Sequence, residues 1–207
     1  MSKERKTLKD KFKSKNIFKT NLKNLGSLSE DDKIPMIFSE IKALDYDNIK
    51  KLYSKYTQIH SLKSNDALYD KSNIYEFTEE GEYFFIEFKN GVLVLEIDKE
   101  KCNSEKNKKI FEIKEKIYDS VTILLEIIEK DFKFLRKNFS YILVYNEEKN
   151  NSKEKIKSNV SKKAGTNVIK FGLNKFKGYF FKNVYTYTVK EFENEFLKDW
   201  EINITKN

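Results

Sequence analysis

Two acidic residues and a lysine, Asp66, Glu87 and Lys89, have the types and spacing needed for chemistry that uses a metal ion. Residues 82–89 are dense in Tyr, Phe and Ile, which predicts a strand. Because side chains alternate along a strand, Glu87 and Lys89 share one face of it. The opposite face carries Phe84, Ile86 and Phe88. An acid and a base are therefore expected side by side near the end of this strand.

A shorter apolar run at 65–69 is expected to pair with that strand through a turn at 79–81, which brings Asp66 within reach of Glu87. Two carboxylates and a lysine at neighbouring strand ends make a site for a hard divalent cation. Oxygen ligands and water hold Mg²⁺, and an ammonium group can lie beside a phosphate. Asp70 is the alternate ligand if the strand register differs.

The order of these residues, Asp66 followed twenty-one positions later by Glu87-Phe88-Lys89, resembles the PD-(D/E)XK, or restriction-endonuclease-like, nuclease superfamily. Asn65 stands where that motif has proline, and the resemblance covers residues 47–145. It implies a nuclease that uses Mg²⁺ or Mn²⁺ held by Asp66 and Glu87. Lys89 would orient or deprotonate the attacking water, or offset charge in the transition state. Some members take a further acidic ligand from an N-terminal helix, a role open to Glu40.

Other interpretations of the same residues remain open. Glu-x-Lys is a weak motif in a chain rich in both residues, and Asn90-Gly91 is a favoured pair for a tight turn, with 92–97 returning as the partner strand of a hairpin. Glu87 and Lys89 would then form a surface ion pair. The chain could also be a non-catalytic nucleic-acid-binding protein, or a protein-interaction domain in which the motif is a coincidence.

The composition fits one α/β domain. The chain has 207 residues, of which 39% are hydrophobic, enough for a real core. A single cysteine, Cys102, excludes an intramolecular disulfide, and a single histidine, His60, excludes a histidine-rich metal site. No apolar run approaches a membrane span, and the basic N-terminus lacks the apolar core of a secretory signal, so we expect a cytoplasmic protein.

The net charge of +8 is concentrated at the N-terminus, where residues 1–24 contain nine Lys or Arg against two acidic residues. This predicts a basic arm over 1–33, ahead of a single domain over 34–207. The arm would bind a nucleic-acid backbone by releasing counterions, with Phe12, Ile17 and Phe18 docking on the body or stacking on bases. The alternative is a solvated tail.

Periodicity predicts the elements that must position the site. A helix over 34–44, which contains Glu40, is followed by a helix over 47–57 capped by Asp47 and a short strand over 59–62. The strongest helix covers 110–130, and Lys116 and Ser120 near its middle are able to approach a substrate.

The remaining segments complete the sheet and its cover. The sequence predicts an exposed loop over 99–108 and a buried strand over 139–145. A lysine-rich loop over 146–163 follows and is a second candidate for contact with phosphate. Strands are predicted within 179–187, and a capping box at 188–191 opens the last helix. Its aromatic stripe belongs to the core and consists of Phe192, Phe196 and Trp200. The expected fold is thus α/β, a mixed central β-sheet flanked by helices in a restriction-endonuclease-like core, with an N-terminal basic helical extension.

Overall fold

The computed structural model describes residues 7–14, 16–31, 33–93, 104–150 and 168–204. Its centre is a mixed six-stranded sheet with the order β1-β4-β5-β6-β7-β8. The strands are β1 Leu22–Asn24, β4 Lys42–Asp45, β5 Ala67–Asp70, β6 Tyr83–Lys89, β7 Phe139–Tyr145 and β8 Asn183–Thr188; a separate two-stranded ribbon pairs β2 Glu30–Asp31 with β3 Ile34–Pro35. No helix among the described residues is long and apolar enough to cross a membrane.

The sheet changes direction at β6. Strand β4 pairs antiparallel with both β1 and β5, and β5 pairs antiparallel with β6. Strands β6, β7 and β8 run parallel to one another. Both β6 and β7 are buried along nearly their whole length, as expected for strands with helices on both faces. The predicted α/β class and mixed sheet flanked by helices are confirmed.

The helices divide between the two faces of the sheet. They are α1 Leu8–Ser14, α2 Ile17–Thr20, α3 Leu25–Leu28, α4 Tyr46–Thr57, α5 Ser104–Ile128, α6 Phe132–Asn138, α7 Val189–Phe192 and α8 Lys198–Ile204, with a π-helical turn at Glu193–Leu197 joining the last two. Apolar side chains of α1, α4, α5 and α6 pack with one face of the sheet, and those of α3 and the C-terminal helices pack with the other.

Several predicted elements are confirmed. The helix over 47–57 is α4, although its N-cap is Asp45, whose carboxylate accepts from the backbone N–H of Asn48, and not Asp47. The strand over 139–145 is β7, and the capping box at Thr188 and Glu191 is present. The aromatic stripe of the last helices lies in the core, as Phe192 and Trp200 are buried.

The predicted helix over 34–44 is wrong. Ile34 and Pro35 form β3, an extended segment follows, and Lys42–Asp45 is β4. The segment takes its backbone partners from the preceding helix: the N–H of Leu25 donates to the carbonyl of Ile41, and that of Gly26 to Ser39. Glycine suits this close contact, because a Cβ on residue 26 would lie 3.0 Å from backbone atoms of Ser39.

The predicted arm over 1–33 is also corrected, because its described part belongs to the folded body. Strand β1 pairs with β4 through Leu22 opposite Leu44, so position 34 is not a domain boundary. Phe12 and Ile17 are buried in the core. Residues 1–6 lie outside the described residues.

Other differences concern connections. The segment 59–62 is not a strand, and His60 is exposed there. Strand β6 lies between β5 and β7, so the proposed hairpin partner at 92–97 has no place beside it. Residues 94–103, which include Cys102, lie outside the described residues. Helix α5 begins at Ser104, inside the predicted loop over 99–108. The lysine-rich loop is described only to position 150.

Candidate active site

The antiparallel pairing of β5 with β6 brings Asp66 beside Glu87. Ala67 lies opposite Ile86, so one step outward along the register places Asp66 next to Glu87. The Asp66 Oδ2 accepts a hydrogen bond of 2.7 Å from the backbone N–H of Phe88. The Asp66 carboxylate thus continues the pairing beyond the end of β5 and is fixed against β6.

A lysine of α5 joins the two carboxylates. The Lys116 Nζ lies 2.7 Å from Glu87 Oε1 and 3.2 Å from Asp66 Oδ1. The Lys89 Nζ lies 3.1 Å from the same Glu87 Oε1. The structure therefore brings all three residues singled out in the sequence together, and it adds Lys116 between them.

Glu87 is the buried centre of this cluster. Its side chain is fully buried, whereas Asp66, Lys89 and Lys116 keep about a quarter of theirs exposed, at 26%, 24% and 21%. Within the described part of the chain, Glu87 Oε2 has no hydrogen-bond partner. A buried carboxylate oxygen without a partner is costly, so this atom calls for an explanation beyond packing.

Burial and the neighbouring charges shift the ionisation of the cluster. Burial first, and then the Glu87 charge, raise the pKa of Asp66 to about 7, although Lys116, Lys89 and the Phe88 N–H act in the opposite direction. Burial disfavours the Lys116 ammonium, but Glu87 and Asp66 outweigh it and raise the Lys116 pKa above its usual range. Lys116 is therefore charged at neutral pH and acts as a fixed cation.

The surroundings hold α5 against the sheet. The Ser120 Oγ accepts from the backbone N–H of Asn65 at 2.8 Å, and the Ser120 carbonyl accepts from the Tyr46 hydroxyl at 2.9 Å. The Tyr141 hydroxyl of β7 is buried without a partner among the described residues, and burial, followed by the charges of Glu87 and Asp66, raises its pKa well above the usual value.

The sequence predicts that Lys116 is able to approach a substrate, and its spacing also indicates contact with the sheet. Lys116 and Ser120 are four residues apart, so they share a helix face. That face also carries the buried Ile113, Ile117 and Val121. A lysine and a serine within an otherwise apolar stripe point towards the sheet, where a buried lysine needs a carboxylate.

Two other acidic candidates lie elsewhere. Asp70 closes the loop after β5: its carboxylate accepts from the Ser72 N–H at 2.9 Å, the Ser72 hydroxyl at 2.7 Å and the Tyr75 N–H at 2.6 Å. It therefore has a structural role, and the alternate register is not used. Glu40 is exposed in the segment before β4, at a cavity of about 800 Å³ whose lining does not include Asp66 or Glu87, so it is not a third ligand.

The donor types of the cluster fit a divalent cation, but only in part. Among the described residues, no group of three or more His, Cys, Asp or Glu side chains is arranged to hold a metal ion. Asp66 and Glu87 offer carboxylate oxygens, including the unpartnered Glu87 Oε2, and Mg²⁺ commonly completes such a set with water and substrate oxygens. The Lys116 ammonium already fills the cationic position between the two carboxylates.

No protein-family model, curated protein or solved structure matches this chain.

Proposed function

We propose that this protein is a metal-dependent nuclease of the PD-(D/E)XK, restriction-endonuclease-like kind, which hydrolyses phosphodiester bonds in nucleic acid. The observation that carries the proposal is the convergence of Asp66 and Glu87, from adjacent strands, on a single cationic position beside Lys89. A buried glutamate with one unused oxygen at a partly open strand end supports a role in binding a cation and a phosphate.

Each residue has a distinct task in this proposal. Asp66 and Glu87 hold Mg²⁺ or Mn²⁺, which when bound polarises the phosphate and acidifies water. Lys89, a quarter exposed, orients or deprotonates the water or offsets charge that develops on the phosphate. Lys116, held charged by both carboxylates, supplies a fixed cation beside Glu87 inside the core.

One observation favours a second candidate function. The Lys116 ammonium pairs with both carboxylates and Lys89 pairs with Glu87, so two lysines balance the two carboxylates without a metal. A non-catalytic nucleic-acid-binding or protein-interaction domain on the same fold would need nothing more.

Hydrolysis assays separate these candidates. Wild-type protein, Asp66→Asn and Glu87→Gln are incubated with single- and double-stranded DNA and RNA, in Mg²⁺, Mn²⁺ or EDTA. Activity is expected in metal alone, with at least about a hundredfold loss in either variant, because each removes a charged ligand. The matched control is Glu80→Gln, whose side chain is 93% exposed and outside the cluster. A folded wild type inactive on every substrate supports the second candidate, and activity that survives both substitutions shows that the site lies elsewhere.

A further inference from the structure

Four aromatic rings form a continuous patch on the outer side of α5 and α6. The patch consists of Tyr118, Phe132, Tyr179 and Phe180. Phe180 is buried at its centre, while Tyr118, Phe132 and Tyr179 are 39%, 44% and 54% exposed. Single exposed apolar residues are ordinary on a protein surface, but a contiguous group with a polar or charged rim marks a binding surface.

The rings of the patch support one another. Phe132 stacks on Phe180 with centroids 5.4 Å apart and planes 13° apart. Tyr179 stacks on it at 4.4 Å and 25°, and Tyr118 meets it edge-on at 5.4 Å. Because the central ring fixes its neighbours, the exposed rings are held in place before any ligand binds, which reduces the entropy lost on binding.

Two cations lie within the patch. The Lys175 Nζ is 5.4 Å from the centroid of the Tyr118 ring, and Arg136 donates to the Tyr179 carbonyl at 3.2 Å. In the part of the chain that the structure describes, neither forms a salt bridge with a carboxylate. The nearby acid, Asp131, caps α6 and faces Lys133 as well as Arg136. Lys175, Arg136 and Lys133 thus place three cations beside the patch, against the single charge of Asp131 at the start of α6.

We propose that the aromatic patch binds single-stranded nucleic acid, with bases stacking on Tyr118, Phe132 and Tyr179 and with Lys175 and Arg136 contacting phosphates. Exposed ring faces with interspersed cations match the bases and the backbone of an unpaired strand, whereas the stacked bases of a duplex offer no free faces. Tyr118 lies two residues, about 3 Å of helix axis and roughly 200° of rotation, from Lys116, so the patch is at the same level of α5 as the candidate active site but on the opposite side of the helix. The proposal deepens, and rests on, the function proposed above, because it names the substrate class.

The test measures binding in EDTA, so that hydrolysis plays no part. A fluorescent oligothymidylate is compared by anisotropy with an abasic oligonucleotide of the same length and charge, and with a duplex. The single strand should bind tightest. Phe132→Ala and Tyr179→Ala should each weaken oligothymidylate binding at least about fivefold, with little change for the abasic strand. Lys175→Ala should lower the slope of log affinity against log salt by about 0.7.

The matched control is Phe38→Ala, which removes a phenylalanine that is 88% exposed beside the cavity near Glu40, outside the patch. Its binding should equal that of wild type, and thermal melts of all variants check the fold. Equal affinity for the abasic strand, unchanged binding in both aromatic variants, or self-association lost in Tyr179→Ala without an effect on nucleic acid would each overturn the proposal. Hydrolysis that is absent while stacking-dependent binding persists overturns only the nuclease proposal.

Discussion

At the scale of single residues, Glu87 is the group that most constrains the molecule. A fully buried carboxylate in a strand of Phe, Tyr and Ile carries a large desolvation cost unless cations offset it. Lys116 and Lys89 both contact its Oε1. The two lysines therefore explain how a charged residue is tolerated at the centre of the sheet. The Oε2 atom of Glu87 has no hydrogen-bond partner among the described residues, and in the proposed function it binds the metal ion.

Replacing Lys116 with methionine separates the structural role of the cluster from metal binding. The variant keeps the volume but leaves Glu87 with Lys89 as its remaining cation, so the free energy of unfolding in EDTA should fall by about 3 kcal/mol. If Asp66 and Glu87 bind a divalent cation, Mn²⁺ should raise the thermal midpoint of Lys116→Met more than that of wild type, because the metal takes the position that the ammonium filled. Urea and thermal unfolding with and without Mn²⁺ measure both effects.

The control for this experiment is Lys63→Met, which removes a half-exposed ion pair with Glu115 and should cost less than about 1 kcal/mol. Adding Glu87→Gln to Lys116→Met should recover part of the lost stability, because the double variant no longer buries a carboxylate that has lost its closest cation. A midpoint of Lys116→Met that Mn²⁺ does not change would contradict the assignment of Asp66 and Glu87 as metal ligands.

At the scale of elements, α4 positions the segment that carries Asp66. The Ser64 hydroxyl donates to Asp47 Oδ1 at 2.9 Å, and the Lys63 N–H donates to Asp119 Oδ2 of α5 at 2.7 Å. Although the segment before β5 has no regular structure, these side chains fix it between two helices. Asp47 thus acts as a clamp and not as the N-cap predicted from the sequence.

Asp47→Asn tests this clamp through its pH dependence. Burial opposes ionisation, but hydrogen bonds from Lys50 and Ser64 and the Lys50 charge lower the Asp47 pKa to about 2. A carboxyl whose pKa is lower in the folded state stabilises above its unfolded value of about 3.9 and loses that effect as pH falls towards 2. Because Asp47 is half exposed, the variant should lose about 1 kcal/mol at pH 7 and nothing near pH 2. Urea unfolding at both pH values, with Glu80→Gln as control, measures this; an equal loss at both would contradict the charge-based role.

The elements predicted correctly are those in which apolar residues recur with one period from end to end, because one face or both faces of the element are buried. Helix α5 and strand β7 show continuous apolar periodicity, and the pairing of Asp66 with Glu87 follows from two adjacent strands and a turn. The predicted helix over 34–44 is absent although Ile34, Ile37 and Ile41 have helical spacing, because the carbonyls of Ser39 and Ile41 accept from α3 and residues 42–44 pair with β1. Such pairing depends on contacts remote in sequence, which override local propensity.

The pairing of Lys116 with Glu87 also depends on a contact between elements that are remote in sequence. In the sequence, only its position on the apolar face of α5 distinguishes Lys116 from the many other lysines of this chain. That face contacts Glu87, which lies twenty-nine positions earlier. The sequence thus predicts the acidic residues of the site, whereas the position of Lys116 beside them follows from the packing of α5 against β6.

At the scale of the whole molecule, the described N-terminal residues close the fold. Strand β1 forms one edge of the six-stranded sheet, and α1 packs on α5, where Phe12 contacts Phe18 and Tyr56. Among the described residues, lysines of this region are carried by folded elements: Lys9 of α1 pairs with Glu129 of the turn after α5, and Lys23 of β1 pairs with Asp45. A lysine already paired with a carboxylate contributes less to binding a nucleic-acid backbone.

Phe12→Ala distinguishes a structural N-terminus from a tether. Phe12 is 1% exposed within a cluster of aromatic rings, so its truncation should leave a cavity and lower the free energy of unfolding by about 3 to 4 kcal/mol. Lys13→Ala changes the next residue of the same helix, which is exposed, and should alter stability by less than about 0.5 kcal/mol. Urea unfolding followed by circular dichroism compares the two variants. If the N-terminal segment were a tether, both would match wild type, since neither side chain would then lose a contact on unfolding. A large loss in Phe12→Ala alone would show that the body of the protein begins before residue 34.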